Sequence, residues 1–118
     1  MAVKPADSST VILITNDGMG KADIELQHKL IRSYLHLIDD NDYLPAVICF
    51  YTEGVKMVVD TSPVLESLRS LEEKGVRLII CGTCLAHFDL KDQVQVGIVG
   101  GMTDIIEAQW RAEKVITL

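Results

Sequence analysis

The chain has 118 residues, 48% of them apolar and 24% charged, with a formal charge of −6. That is enough for one domain with a real core. The acidic balance leaves no basic stripe for phosphates, so a nucleic-acid partner is excluded. No apolar run reaches the ~20 residues that span a bilayer. Met1–Thr10 is short and polar, lacks the apolar heart of a signal peptide, and is expected to be a flexible N-terminus ahead of a single domain over 11–118. A cytoplasmic location follows as the default. Three cysteines make an odd count, and a chain this apolar needs no disulfide framework. In a reducing compartment a close pair is reactive or metal-binding rather than structural.

Val11-Ile12-Leu13-Ile14 is β-branched without alternation, which predicts a strand covered on both faces. It runs into Thr15-Asn16-Asp17-Gly18-Met19-Gly20. Glycine-rich turns before helices bind anions. This one fits neither the dinucleotide fingerprint nor the P-loop, and Asp17 repels phosphate. From Lys21 to Leu37 the period becomes helical. Ile24, Ile31, Leu35 and Ile38 mark an apolar stripe, widened by Leu30, Tyr34 and Leu37. His28 falls on that stripe and reads as a hydrogen-bonded core residue. His36, among charges, reads as solvated. Asp39-Asp40-Asn41-Asp42 is a stop signal and a wet turn.

Leu44 to Tyr51 is the second predicted strand, with Pro45 tolerated at its start. Cys49 lies inside it as a small inert hydrophobe. Thr52-Glu53-Gly54-Val55-Lys56 is expected to leave the strand as a loop, and Lys56 to be either a positive charge near the thiols or an exposed loop lysine. Met57-Val58-Val59 extends that loop. Ser62-Pro63 predicts a helix start, with Leu65, Leu68 and Leu71 inward and Lys74-Gly75 at the end. Val76 to Ile80 is the third strand. Leu85 to Leu90 forms a short helical turn, and Val94 to Val99 a fourth strand. Gly100-Gly101 makes a second glycine loop. The helix opened by Met102-Thr103-Asp104 should turn Ile105, Ile106 and Gln109 inward, with Trp110 near its end. Lys114 to Leu118 closes the chain as a fifth strand. Strands alternating with helices at this spacing imply α/β: a three-layer α/β/α Rossmann-like domain with a five-stranded, mainly parallel sheet.

The sharpest chemical signal is Leu78-Ile79-Ile80-Cys81-Gly82-Thr83-Cys84. The C-terminal end of a strand in such a sheet is where ligands and chemistry collect. Three chemistries compete for Cys81 and Cys84. Metal binding has at most three ligands in Cys81-x-x-Cys84-x-x-His87, where a structural zinc wants four; no metal and no cofactor is expected. Thioredoxin-type exchange has the right spacing. Yet that fold places its pair early, after a tryptophan and facing a later proline, whereas here Trp110 and Pro63 stand elsewhere. Sulfur carriage needs an accessible thiolate that takes a sulfur atom as a persulfide and passes it on. Loops bearing Asn16, Asp17, Gly18, Lys56, Thr83, Gly101 and Met102 would wall its pocket if all leave one sheet edge.

Ile79-Ile80-Cys81-Gly82-Thr83-Cys84-Leu85, Val96-Gly97 and Ala112-Glu113-Lys114-Val115-Ile116-Thr117-Leu118 resemble the DsrE/DsrF-like (DsrEFH) superfamily. Phe50-Tyr51-Thr52-Glu53-Gly54-Val55-Lys56 with Cys81-Gly82-Thr83-Cys84-Leu85 is similar to the C-terminal domain of YedF-like proteins, described as sulfurtransferase-like and linked to selenium metabolism. The resemblance implies a Rossmann-like fold and a homo-oligomer (dimer, trimer or hexamer). It implies a persulfide on Cys81, with Cys84 as a resolving or assisting thiol. It also implies sulfur donor and acceptor proteins as partners, among them a separate TusA-like carrier, since this chain is too short to include that domain. The Arg-Gly that often follows the cysteines is replaced by His87-Phe88-Asp89-Leu90. Two alternatives stay open: a non-catalytic oligomeric module of the same fold, and a thiol-disulfide redox protein using the Cys81/Cys84 pair.

Overall fold

Each buried strand divides its side chains between two faces, because successive Cβ atoms alternate. In this computed structural model, which describes residues 7–118, the alternation sorts the core into two layers. Ile12, Ile14, Ile48, Phe50, Leu78 and Ile80 point to one side. Val11, Leu13, Val47, Cys49, Ile79 and Cys81 point to the other. The strands are β1 (Asp7–Ile14), β2 (Pro45–Phe50), β3 (Arg77–Cys81), β4 (Ile98–Gly100) and β5 (Lys114–Thr117). They form one sheet in the order β4-β3-β2-β1-β5, and every pairing is parallel.

Helices α1 (Ile24–Asp40), α2 (Leu65–Glu73) and α3 (Gly82–His87) cover the first face through Ile31, Leu35, Leu68, Leu71 and Leu85. The connection from β4 to β5 steps back across three strands on the opposite side. Helix α4 (Met102–Arg111) in that connection covers the second face through Ile105. The expected α/β/α layering is therefore present. The exposures are uneven, however. Ile105 is buried, but Ile106 is 47% and Trp110 85% exposed. Residues 106 and 110 lie one turn apart, so they share a flank of α4 turned away from the sheet.

Several boundaries differ from the sequence reading, each for a local reason. Strand β1 starts at Asp7 rather than Val11, with an irregular register between those residues; positions 1–6 of the expected flexible terminus lie outside the described residues. Helix α1 starts at Ile24 because the Asp23 carboxylate accepts the Leu26 N–H at 2.9 Å. Ile24, Leu30 and Leu37 of its predicted stripe are exposed. Helix α2 begins at Leu65, since Ser62 accepts the Val64 N–H in a turn instead of capping a helix at Pro63. The Thr52 to Lys56 loop and its extension form a 3-10 helix, Thr52–Val58, with Val55, Met57 and Val58 buried. Only Ile98 and Val99 of the expected fourth strand pair with β3, and Gly100, expected in the loop, pairs along with them. Val94 instead bridges Val59 in antiparallel sense, and Gly97 turns the chain at φ +83°.

Cys49 is fully buried, and burial pushes its thiol up to about 11 against a partial lowering by Arg77. A thiol raised in the folded state contributes stability below its unfolded pKa and loses it as pH climbs through the folded value. Between pH 9 and pH 11 this group is expected to cost the protein about 2–3 kcal/mol. Urea unfolding of wild type and Cys49→Ala checks this. Their difference in stability should shrink by that amount over the window, and a difference that stays constant refutes it.

Candidate functional site

The ends of β1, β2 and β3 converge on the thiol pair. Strand β3 passes into α3 with no intervening loop, so Cys81 ends the strand and Cys84 lies one turn into the helix. The helix thus starts three residues ahead of the expected Leu85. Strand parity sends Cys81 to the α4 side, where it is 3% exposed in a cluster with Ile79 and Ile105. Cys84 is half-buried and touches both core layers. Of the two thiols, Cys84 is the one with access to solvent.

A backbone group reaches Cys84 from the end of β2. The Thr52 N–H donates to Cys84 Sγ at 3.1 Å. Thr52 has φ +50°, uncommon for any residue with a side chain and an outlier for a β-branched one. Its hydroxyl donates to the Thr15 carbonyl at 2.5 Å and lies 2.7 Å from that of Tyr51. The Tyr51 N–H bonds the Ile14 carbonyl at 3.2 Å. Partial burial pushes the Cys84 thiol up; the Thr52 N–H opposes that, and the neighbouring Cys81 thiol raises it further.

The predicted wall residues divide into two groups. Asp17 and Lys56 share a cavity of about 180 Å3 with His28, Met57, Val59, Thr61, Ser62, Pro63 and Leu90. His28 has Nε2 2.7 Å from the Asp17 carboxylate, so it is hydrogen-bonded as expected, but it is half-buried at the cavity rather than in the core; His36 is exposed. Asn16 and Gly18 shape the turn behind Asp17. The Gly18 N–H donates to the Asn16 carbonyl, and the Asn16 amide donates to that of Gly20. Lys56 turns its ammonium to Glu53 at 2.5 Å and over the Phe88 ring at 4.9 Å, rather than to the sulfurs.

Thr83, Gly101 and Met102 do not line that cavity. Thr83 is exposed on α3. Gly101 caps α4, its N–H donating to the Asp104 carboxylate at 2.9 Å, and Met102 is exposed. Both follow Gly100, which pairs with Cys81 across the sheet. The predicted pocket is therefore two neighbourhoods, one on each side of the strand ends. Among the described residues, no group of three His, Cys, Asp or Glu side chains is placed to hold a metal ion. Thr52 is the contact the sequence reading missed. Its signal was faint, because a backbone donor leaves no side-chain signature; Gly54 two residues on was the one hint of a tight turn.

An all-parallel five-stranded sheet with helices on both faces makes this a Rossmann-like α/β domain, with the cysteine pair where β3 becomes α3. The chain belongs to the DsrE/DsrF-like family, whose model matches residues 9–118. No curated protein matches it. Several solved structures share the fold, among them the following three. The ychN protein from E. coli is 14% identical, covers 93% of this chain and 99% of its own, and has a TM-score of 0.68. MTH1491 from Methanobacterium thermoautotrophicum is 19% identical over 92% and 97%, at 0.66. BT1422 from Bacteroides thetaiotaomicron is 17% identical over 92% and 93%, at 0.67. The latter two are described as proteins of unknown function. Among the described residues, no helix is long and apolar enough to cross a membrane.

Proposed function

We propose that this protein is a sulfur-relay carrier in which the Cys81/Cys84 pair holds and passes on a sulfane sulfur. The single observation that carries the reading is the pair itself: a half-buried Cys84 with a backbone N–H on its sulfur, next to a buried Cys81. Cys84 is the receiving thiol, a reversal of the order the resemblance implies, because it is the one a donor can reach. Its thiolate attacks the outer sulfur of a donor persulfide; that S–S bond breaks, and the donor departs as a thiolate. The product is a Cys84 persulfide. If Cys81 then attacks the inner sulfur, a Cys81–Cys84 disulfide forms and hydrosulfide leaves. Delivery to an acceptor thiolate instead regenerates Cys84.

Donor and acceptor proteins, among them a separate TusA-like carrier, are the partners this reading calls for. A second copy of the chain is the partner suited to the exposed Met102, Ile106 and Trp110 flank of α4. The mass of folded protein after exposure to a persulfide donor is the test. Wild type should gain ~32 Da, one sulfur atom. Cys84→Ser should not gain it, and Cys81→Ser should. The opposite pattern returns the carrier role to Cys81, and no gain in any form ends the relay reading in favour of an idle module.

A further inference from the structure

We propose that Thr52 is a positioning residue for Cys84: a strained backbone, latched by its own hydroxyl, holds one N–H on the sulfur. The strain is the positive φ of +50° in a β-branched residue, a conformation that persists only where surroundings over-determine it. The surroundings here are specific. Thr52 Oγ1 bonds the Thr15 carbonyl, and Tyr51 N–H bonds Ile14, so the turn is fastened to the end of β1. Gly54 lies so close to Ile14 that a Cβ would sit 1.9 Å from its carbonyl oxygen. Thr52 is itself exposed, so its strained conformation serves no core packing of its own side chain. What the turn delivers is the amide on Cys84 Sγ at 3.1 Å.

A donated hydrogen bond favours the anionic sulfur more than the neutral thiol. The Thr52 amide therefore raises the fraction of Cys84 present as thiolate, against the burial and the Cys81 thiol that lower it. In the relay reading, on which the purpose of this device rests, that fraction sets how readily Cys84 takes sulfur. The device itself is independent of that reading and can be measured without a sulfur donor.

The experiment is the pH profile of Cys84 alkylation by iodoacetamide in the folded protein, read by mass spectrometry. Thr52→Val keeps the branched shape and removes the latch. Its midpoint should move up by about half a unit to one unit, and its rate at neutral pH should fall about three- to tenfold. Thr52→Ser keeps the hydroxyl and should retain the wild-type midpoint. Thr52→Gly removes the latch while relieving the positive φ. It should show the same upward move without loss of thermal stability, and it decides the matter if Thr52→Val does not fold. An unmoved midpoint in the latchless variant, or a Thr52→Ser midpoint shifted as far as theirs, overturns the proposal. Normal sulfur uptake with an unmoved midpoint removes Thr52 alone. A shifted midpoint in a protein that takes up no sulfur removes the relay alone.

Discussion

Gly54→Ala should destabilise the fold by about 3–5 kcal/mol, as measured from the urea midpoint at unchanged slope. A Cβ at this position would sit 1.9 Å from the Ile14 carbonyl oxygen, 2.5 Å from its carbon and 3.1 Å from the Thr15 nitrogen. All three are backbone atoms, so no side chain can swing aside. Strand β1 cannot yield either, because it is paired on both edges, by β2 and β5, and Ile14 is fully buried. The 3-10 segment must withdraw instead, pulling Val55 and Val58, both fully buried, out of the core. Gly101→Ala is the control. A Cβ there meets nothing within 4 Å, and the change should stay within about 1 kcal/mol. A Gly54→Ala loss below about 1 kcal/mol would show that the turn is free to move. That result would also undercut the role of Thr52, since the same turn aims its amide.

The centre of the sheet was legible because β1, β2 and β3 are buried on both faces. Such strands need apolar side chains at every position, and Pro45 to Phe50 and Leu78 to Ile80 supply them as unbroken runs. Helix α1 was legible from its period, although the stripe read too wide. Ile31 and Leu35 are buried, whereas Leu30 and Leu37 are exposed beyond the edge of the contact with the sheet. The failures have different causes. A 3-10 helix such as Thr52–Val58 is too short to display a period, so its buried residues looked like a loop. Val94 to Val99 had the composition of a strand. At Gly97 the backbone passes so close to β3 that a Cβ would lie 2.9 Å from Leu78 Cβ, and the positive φ there bends the chain out of register.

The candidate site was half legible. Two cysteines closing an apolar run placed the thiol pair at a strand end, and that is where β3 becomes α3. Their relative exposure was not legible, because it depends on where the strand stops. Cys81 is the last residue of β3 and takes the inward parity of Ile79, whereas Cys84 follows helical geometry and reaches the rim. Had the strand ended at Ile80, Cys81 would have been free to turn outward. The loops were expected to share one pocket. The sheet edge instead separates Asp17 and Lys56 from Gly101 and Met102, because α4 lies on the face opposite α1.

Gly18→Ala should cost about 2–4 kcal/mol and release the turn after β1. Two effects add at this position. The backbone has φ +115°, where any L side chain is strained. A Cβ would also lie 2.5 Å from the Gln27 carbonyl oxygen and 2.7 Å from its Cβ, against the first turn of α1. Gly20→Ala separates the two effects. It too has a positive φ, +71°, but nothing within 4 Å, so it should cost only about 1 kcal/mol. The excess in Gly18→Ala is then the steric contact. Its local consequence is specific, because Met19 donates its N–H to the Gln27 carbonyl at 3.0 Å and Gln27 returns its amide to the Asp17 carbonyl at 2.8 Å. Pushing the turn off Gln27 breaks both bonds and draws Asp17 away from His28. Hydrogen exchange should report loss of protection at Met19 in Gly18→Ala while amides of β1 and β2 keep theirs. Equal costs for the two alanine variants, or continued protection of Met19, would mean that the turn is held by something other than this close approach.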